Sequence, residues 1–271
     1  MIADVDAVIP EHAVDVARAA ATEAGAILRD RLMEHRQITY KGVVDLVTDA
    51  DQASEAHILS VIQQAFPSHR FIGEEGVHAS HAVVEANGGY SWICDPLDGT
   101  TNYSHRYPHF AVSIALAHEK TILVGVIYDP MRDELFTAVR GRGATLNDQP
   151  MRVSETRQLV RSLLATGFAY DNDERDENSA LWSAFMPLCQ GVRRDGSAAL
   201  DAAYVAAGRL DGFWEKPINA WDIAAGALLI EEAGGKVSCY GRPFDPFARE
   251  ILSSNAHLHD AMEQVILDVI R

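Results

Sequence analysis

The chain has 271 residues, 48% of them hydrophobic, and a formal net charge of −16. That length and apolar content suffice for a large buried core, in one big domain or two smaller ones. The charge argues against bulk binding to nucleic acid or to an anionic membrane, because the field of the whole molecule repels both. Cys94, Cys189 and Cys239 are widely spaced with no Cys-x-x-Cys pair. They read as buried thiols in a reducing compartment rather than as a zinc site. The first residues lack the basic and apolar regions of a leader, and no apolar run approaches the ~20 residues of a bilayer span. The cytoplasm is the expected location.

In chain order, residues from about Glu11 to Glu34 carry a helical apolar period. Ile38–Gly42 and Leu46–Thr48 read as a short hairpin. Thr48, with Asp51 three residues on, is a capping-box start for a second helix that runs to about Phe66. Phe71-Ile72 is a short strand leading into Gly73-Glu74-Glu75-Gly76. Tyr90–Cys94 reads as a buried strand, and the residues after Asp98 can open a helix. Phe110–His118, Thr121–Tyr128 and Glu134–Ala138 are strand-like, and Asn147-Asp148 marks a hairpin turn. Beyond about Pro150 strands alternate with helices: strand Ser162–Thr166, helix from about Glu177 to Gln190, helix Ser197–Ala207, strand Leu210–Trp214, helix Trp221–Ala233, strands Lys236–Cys239 and Ile251–Ser254, and a closing helix. The expected division is 1–150 and 151–271. Asp171–Glu177 reads as a solvated acidic loop.

The run Asp95-Pro96-Leu97-Asp98-Gly99-Thr100-Thr101-Asn102-Tyr103 is the most informative segment. It sets two carboxylates three residues apart at the end of a buried strand, beside a glycine and two hydroxyls. Hard oxygen ligands next to outward-pointing N–H groups suit Mg²⁺ and a phosphate together. The plainer reading makes Asp98 a helix N-cap and Asp95 a loop residue. An unpaired carboxylate at the rim of a core is costly, however, and metal coordination removes that cost. Glu74-Glu75 is either a surface turn or a turn that lifts one carboxylate into a cleft. Asp222 can complete a capping box with Asn219 and still offer an oxygen to a metal. Asp49 is a helix-start charge, Asp51 a group that can orient a hydroxyl, and Lys41 a solvated hairpin residue or a functional one. His78 and His81 read as surface residues, and no Gly-x-Ser-x-Gly elbow supports a serine nucleophile.

Together these segments resemble the inositol monophosphatase family. Asp95–Asn102 is similar to its first signature and Trp221–Gly226, continued by Glu231–Gly235, to its second. Asp45–Asp51, Phe71–Glu75 and Arg193–Ala199 match in order and spacing. The resemblance implies an α/β fold, a layered α/β/α/β/α sandwich, as a homodimer. It implies a Mg²⁺-dependent, lithium-sensitive phosphatase that holds two to three ions. It makes Glu74, Asp95 and the carbonyl of Leu97 ligands of one ion and Asp95, Asp98 and Asp222 ligands of a second. Glu74, Thr100 and Asp51 would act in catalysis, Asp51 through the Thr100 hydroxyl. Gly99 and Thr100 would bind phosphate, with Leu97, Asp98 and Asp222 also touching the substrate. Arg193, Gly196, Ser197, Ala198 and Glu215 would line its alcohol part. The implied reaction is hydrolysis of inositol 1-phosphate and related small phosphate monoesters, that is, phosphorylated polyols, by metal-activated water. Asp195 adds a negative charge where many relatives carry a neutral residue. The alternatives are the same chemistry on fructose 1,6-bisphosphate, histidinol phosphate or 3′-phosphoadenosine nucleotides, or a regulatory protein that binds transcription machinery. Arg140-Gly141-Arg142 and Arg193-Arg194 are the basic features open to such a partner, and ion pairing within an acidic protein is their simpler use.

Overall fold

The computed structural model describes residues 8–33, 38–40, 46–74, 89–168 and 175–270. Helix α1 (Ala13–Arg31) buries Ala13, Ala17, Ala20, Ala21, Ala24, Gly25 and Leu28, the three-and-four spacing of an amphipathic helix. Strands β1 (Ile38–Tyr40) and β2 (Leu46–Thr48) pair antiparallel, with Ile38 opposite Thr48. Thr48 then caps α2 (Asp49–Ala65) through the expected capping box. Its hydroxyl accepts from the Ala50 N–H at 3.2 Å, and its own N–H donates to Asp51 at 2.8 Å. Lys41, Glu75, His78 and His81 lie outside the described residues.

The first sheet has seven strands in chain order: β3 (Arg70–Gly73), β4 (Tyr90–Asp98), β5 (Ala111–His118), β6 (Thr121–Asp129), β7 (Glu134–Val139), β8 (Gly143–Leu146) and β9 (Gln149–Pro150). Strands β3 and β4 are parallel and the rest antiparallel. Asn147 and Asp148 turn the last hairpin in the left-handed region, with φ of 47° and 64°. Strand β5 shows why the sheet is buried on both sides. Val112, Ile114 and Leu116 face the core shared with α1 and α2, while Ala111, Ala115 and Ala117 face the opposite core. A period of two thus sorts large residues to one face and small ones to the other.

Between β4 and β5 lies α3 (Thr100–Ser104), a helix of only 5 residues. After a 3₁₀ turn at Leu159–Arg161 the second sheet begins. Its strands are β10 (Leu163–Thr166), β11 (Gly191–Arg193), β12 (Gly212–Glu215), β13 (Lys236–Cys239), β14 (Arg242–Pro243) and β15 (Ile251–Ser254), in spatial order β11-β10-β12-β15-β13-β14. Helices α4 (Arg175–Phe185), α5 (Ala198–Ala206), α6 (Ala220–Glu232) and α7 (His259–Ile270) complete the fold. Helices α1 and α2 cover one face of the first sheet, α5 and α6 fill the space between sheets, and α4 and α7 cover the far face of the second. This is the expected α/β/α/β/α order.

Some expectations need correction. Helix α4 ends at Phe185 rather than Gln190, because Gly191–Arg193 pairs with β10 as a strand. A three-residue strand carries too little period to be read beforehand. The acidic segment is not all loop: Asp176 and Glu177 form the first turn of α4, and Glu177 pairs with Lys216 at 3.1 Å. Its earlier residues, 171–174, lie outside the described residues. Cys94 and Cys239 are buried as expected, but Cys189 is half-buried, and all three are free thiols.

The middle layer depends on small residues. A Cβ built on Gly226 of α6 would stand 2.4 Å from the Ala202 Cβ of α5. Gly226→Ala should therefore lower stability by about 1–3 kcal/mol despite alanine's better helix propensity. Urea unfolding reads this directly, and an unchanged midpoint would show that the two helices have slack.

Candidate active site

Asp95 and Asp98 are three residues apart, so an unbroken strand would point them to opposite faces. The structure resolves this with a bulge. Asp95 pairs with Ser113 and Asp98 with Ala111, so three steps on β4 answer two on β5. Ser113 and Ala111 share a face, and the extra residue brings both aspartates onto it. Pro96 has no N–H to give the ladder. The Leu97 N–H turns to Asp95 Oδ1 at 2.9 Å, and the Ser54 hydroxyl of α2 holds the Pro96 carbonyl at 2.8 Å.

Asp222 arrives on that face from the first turn of α6, where it accepts from the Asn219 N–H at 2.8 Å. It both caps its helix and joins the cluster, as the dual reading of this residue expects. Oxygens of Asp95, Asp98 and Asp222 lie within 4.8 Å of one another. Glu74, which follows β3, stands outside that group, but its charge acts on Asp95. Asp98 is not the N-cap of α3, since Gly99 takes that position with φ of 98°. A side chain there would be strained and would press on the His109 and Gly196 carbonyls at 3.1 and 3.2 Å. Asp98 instead accepts from the start of α5: the Ala199 N–H at 2.8 Å and the Ser197 hydroxyl. The start of α5 thus also faces the cluster, through its bonds to Asp98.

Charge is held here at a cost. Burial, then the charges of Glu74, Asp98 and Asp222, push the Asp95 carboxyl well above its ordinary range. Burial raises Asp98 to about 6 against the opposing bonds from Ser197 and Ala199. Burial and the neighbouring Asp98 raise Asp222 to about 7. Among the described residues no Lys or Arg pairs with any of the three. An all-carboxylate, desolvated donor set without a protein cation fits a hard divalent ion.

Behind the cluster the Thr100 hydroxyl has Asp51 Oδ1 at 3.1 Å and the Leu97 carbonyl at 3.0 Å, and its one proton serves either. The other oxygen of Asp51 is held by Thr48. Asp51 is buried and its carboxyl is raised by that burial. In front opens a cavity of about 510 Å³ whose lining includes Asp98, Gly99, Gly196, Ser197, Ala198, Glu215 and Asp222. Asp95, Leu97 and Thr100 are not on that lining. Arg193 ends β11 and is exposed, and Arg194 takes the place on the cavity expected of it. Asp201 and Arg249 also line the cavity and were not foreseen. For Asp201 a signal existed: it is the sole charged residue of an otherwise alanine-rich helix, one turn from Ser197. Arg140 pairs with Glu231 at 3.0 Å, and the Gly141 and Gly143 N–H groups with Glu232 at 2.8 Å, so that loop is docked on α6.

Three clustered carboxylates, two of them on a polar cavity of a five-layer sandwich, suit metal-assisted phosphate-ester chemistry. The chain belongs to the inositol monophosphatase family, whose model matches residues 10–270. Inositol monophosphatase 2 of Solanum lycopersicum is 46% identical over 255 residues, covering 93% of this chain and 96% of that one. Nus factor SuhB of Pseudomonas aeruginosa is 43% identical over 83% of this chain and 84% of its own. The solved inositol monophosphatase of Anabaena (Nostoc) sp. PCC 7120 superimposes with a TM-score of 0.82 at 44% identity, over 94% of this chain and 95% of that one. The family is metal-dependent in general, and the carboxylate cluster lies within the matched residues. Among the described residues no helix is long and apolar enough to cross a membrane.

Proposed function

We propose that this phosphatase hydrolyses inositol 1-phosphate and related small polyol phosphates, using Mg²⁺ held by Asp95, Asp98 and Asp222, with Glu74 and the Leu97 carbonyl serving further ions to a total of two or three. The observation that carries this reading is the bulge that turns Asp95 and Asp98 together toward Asp222, with Asp98 and Asp222 on the cavity. Bound Mg²⁺ supplies Lewis-acid polarisation of phosphate oxygens and lowers the pKa of water. The chain does the rest. Asp51 and the Leu97 carbonyl fix the Thr100 hydroxyl, which with Glu74 orients a water for attack in line with the ester bond. Gly99 and Thr100 bear on the phosphate, and the start of α5 stabilises charge gathered at Asp98. Gly196, Ser197, Ala198, Glu215 and Arg194 receive the alcohol. Halves 1–150 and 151–271 would each supply part of the site, in a cytoplasmic homodimer inhibited by Li⁺.

Phosphate release from inositol 1-phosphate, glycerol 2-phosphate, fructose 1,6-bisphosphate, histidinol phosphate and 3′-phosphoadenosine 5′-phosphate tests the substrate. A clear preference for inositol 1-phosphate is expected. Preference for another ester would keep the chemistry and replace the substrate. The likeness to a protein named a Nus factor supports a second role in binding transcription machinery. Retention of such a partner by a catalytically dead variant would separate the two roles.

A further inference from the structure

Helix α5 brings a second acidic residue to the cavity. Ser197 caps the helix and gives its hydroxyl to Asp98. Asp201 lies one turn further on the same face and also lines the cavity. Its side chain is only 1% exposed, and its Oδ1 has no hydrogen-bond partner among the described residues. Leaving such an oxygen unmatched carries a desolvation cost that native structures rarely bear without a use. The groups whose charges act on Asp201 do not repair it. Glu215, Asp195, Asp98 and Arg194 act on it through their charges, and none of them hydrogen-bonds its Oδ1. Arg194 also lies on the cavity, so positive charge is already supplied there. Asp201 lines the cavity, so a group bound there is the nearest source of a donor for its carboxyl.

We infer that Asp201 is a specificity-determining residue that accepts a hydrogen bond from a hydroxyl on the alcohol part of the substrate. The inference rests on the phosphatase reading above and deepens it. Glu215 and Asp201 form an acidic wall of the cavity, within reach of the charge of Asp98. A polyol satisfies this wall with hydroxyls, whereas an aromatic or simple alkyl alcohol does not. A site built to hydrogen-bond a hydroxyl discriminates strongly, because the analogue without it leaves a buried acceptor unpaired.

The test compares inositol 1-phosphate with phenyl phosphate, which has no hydroxyl on its alcohol part, in Mg²⁺-loaded wild type and Asp201→Ala. For inositol 1-phosphate kcat/KM should fall at least about tenfold, chiefly through KM, while phenyl phosphate stays within about twofold. Asp201→Ser, polar but too short to reach, serves in the same comparison if the alanine variant does not fold. An equal loss on both esters would mark Asp201 as merely structural and overturn the inference. So would no loss on either. Absence of turnover by the wild type on both esters would instead overturn the proposed function, and the inference with it.

Discussion

Asp98→Asn should abolish turnover and leave a folded chain that, stripped of metal, is at least as stable as the native one. The two halves of this expectation have one cause. Asp98 is buried, and its carboxyl is raised to about 6 by that burial. At neutral pH the stripped protein therefore holds an unfavourable charge, and the amide removes it. The amide oxygen can still accept from the Ala199 N–H and the Ser197 hydroxyl, so the junction of β4 with α5 survives. What is lost is the negative charge and one of the carboxylate oxygens that Asp98 can offer a metal alongside Asp95 and Asp222. A drop of about 10³-fold or more in kcat is expected, together with a melting temperature no lower than wild type in the absence of metal. Near-normal turnover by a folded Asp98→Asn protein would remove Asp98 from the metal site.

The second large effect is on stability against pH. Burial, then Asp222 and Asp98, raise Glu215 to about 8, and burial and Asp98 raise Asp222 to about 7. Both titrate near 4 when unfolded. The folded chain thus binds more protons than the unfolded chain across this interval, and stability must rise as pH falls through it. Histidines act in the opposite sense: His259, lowered to about 4 by burial, opposes folding as pH falls below its ordinary value near 6.5. The clean window is therefore pH 8.5 to 6.5. Metal-stripped protein should melt about 5 °C or more higher at pH 6.5 than at 8.5. Mg²⁺ binds the ionised cluster, so its stabilisation should be larger at pH 8.5 and should flatten or reverse the trend. Stripped protein that melts higher at pH 8.5 would contradict the buried-charge account.

Local signals were legible and tertiary ones were not. Thr48 and Asp51 announce their capping box because every participant lies within one turn. Trp221-Asp222 likewise reveals a helix start. The Asp95 run is recognisable by its residues, yet strand period alone would separate its two carboxylates. Only the pairing with Ser113 and Ala111 shows how a bulge unites them. The plainer reading of Asp98 has it cap the helix that follows, whereas it binds the start of a helix a hundred residues later. No local pattern encodes that contact. The exchange of Arg193 for Arg194 at the cavity has the same origin. Strand β11 is three residues long, and the residue that leaves its end toward the site depends on where pairing with β10 stops. Asp201 carried a sequence signal, a lone charge in an apolar helix, but its role needs the cavity to be seen.

In the proposed chemistry a carboxylate-held divalent ion drives phosphate-ester hydrolysis at this cluster. The most direct measurement is phosphate release from inositol 1-phosphate by metal-stripped protein titrated with Mg²⁺, with stripped Asp98→Asn alongside. No release is expected without Mg²⁺, with saturable activation of the wild type and no activation of the variant at the same concentrations. Full turnover by stripped wild-type protein, or equal activation of Asp98→Asn, would contradict that chemistry.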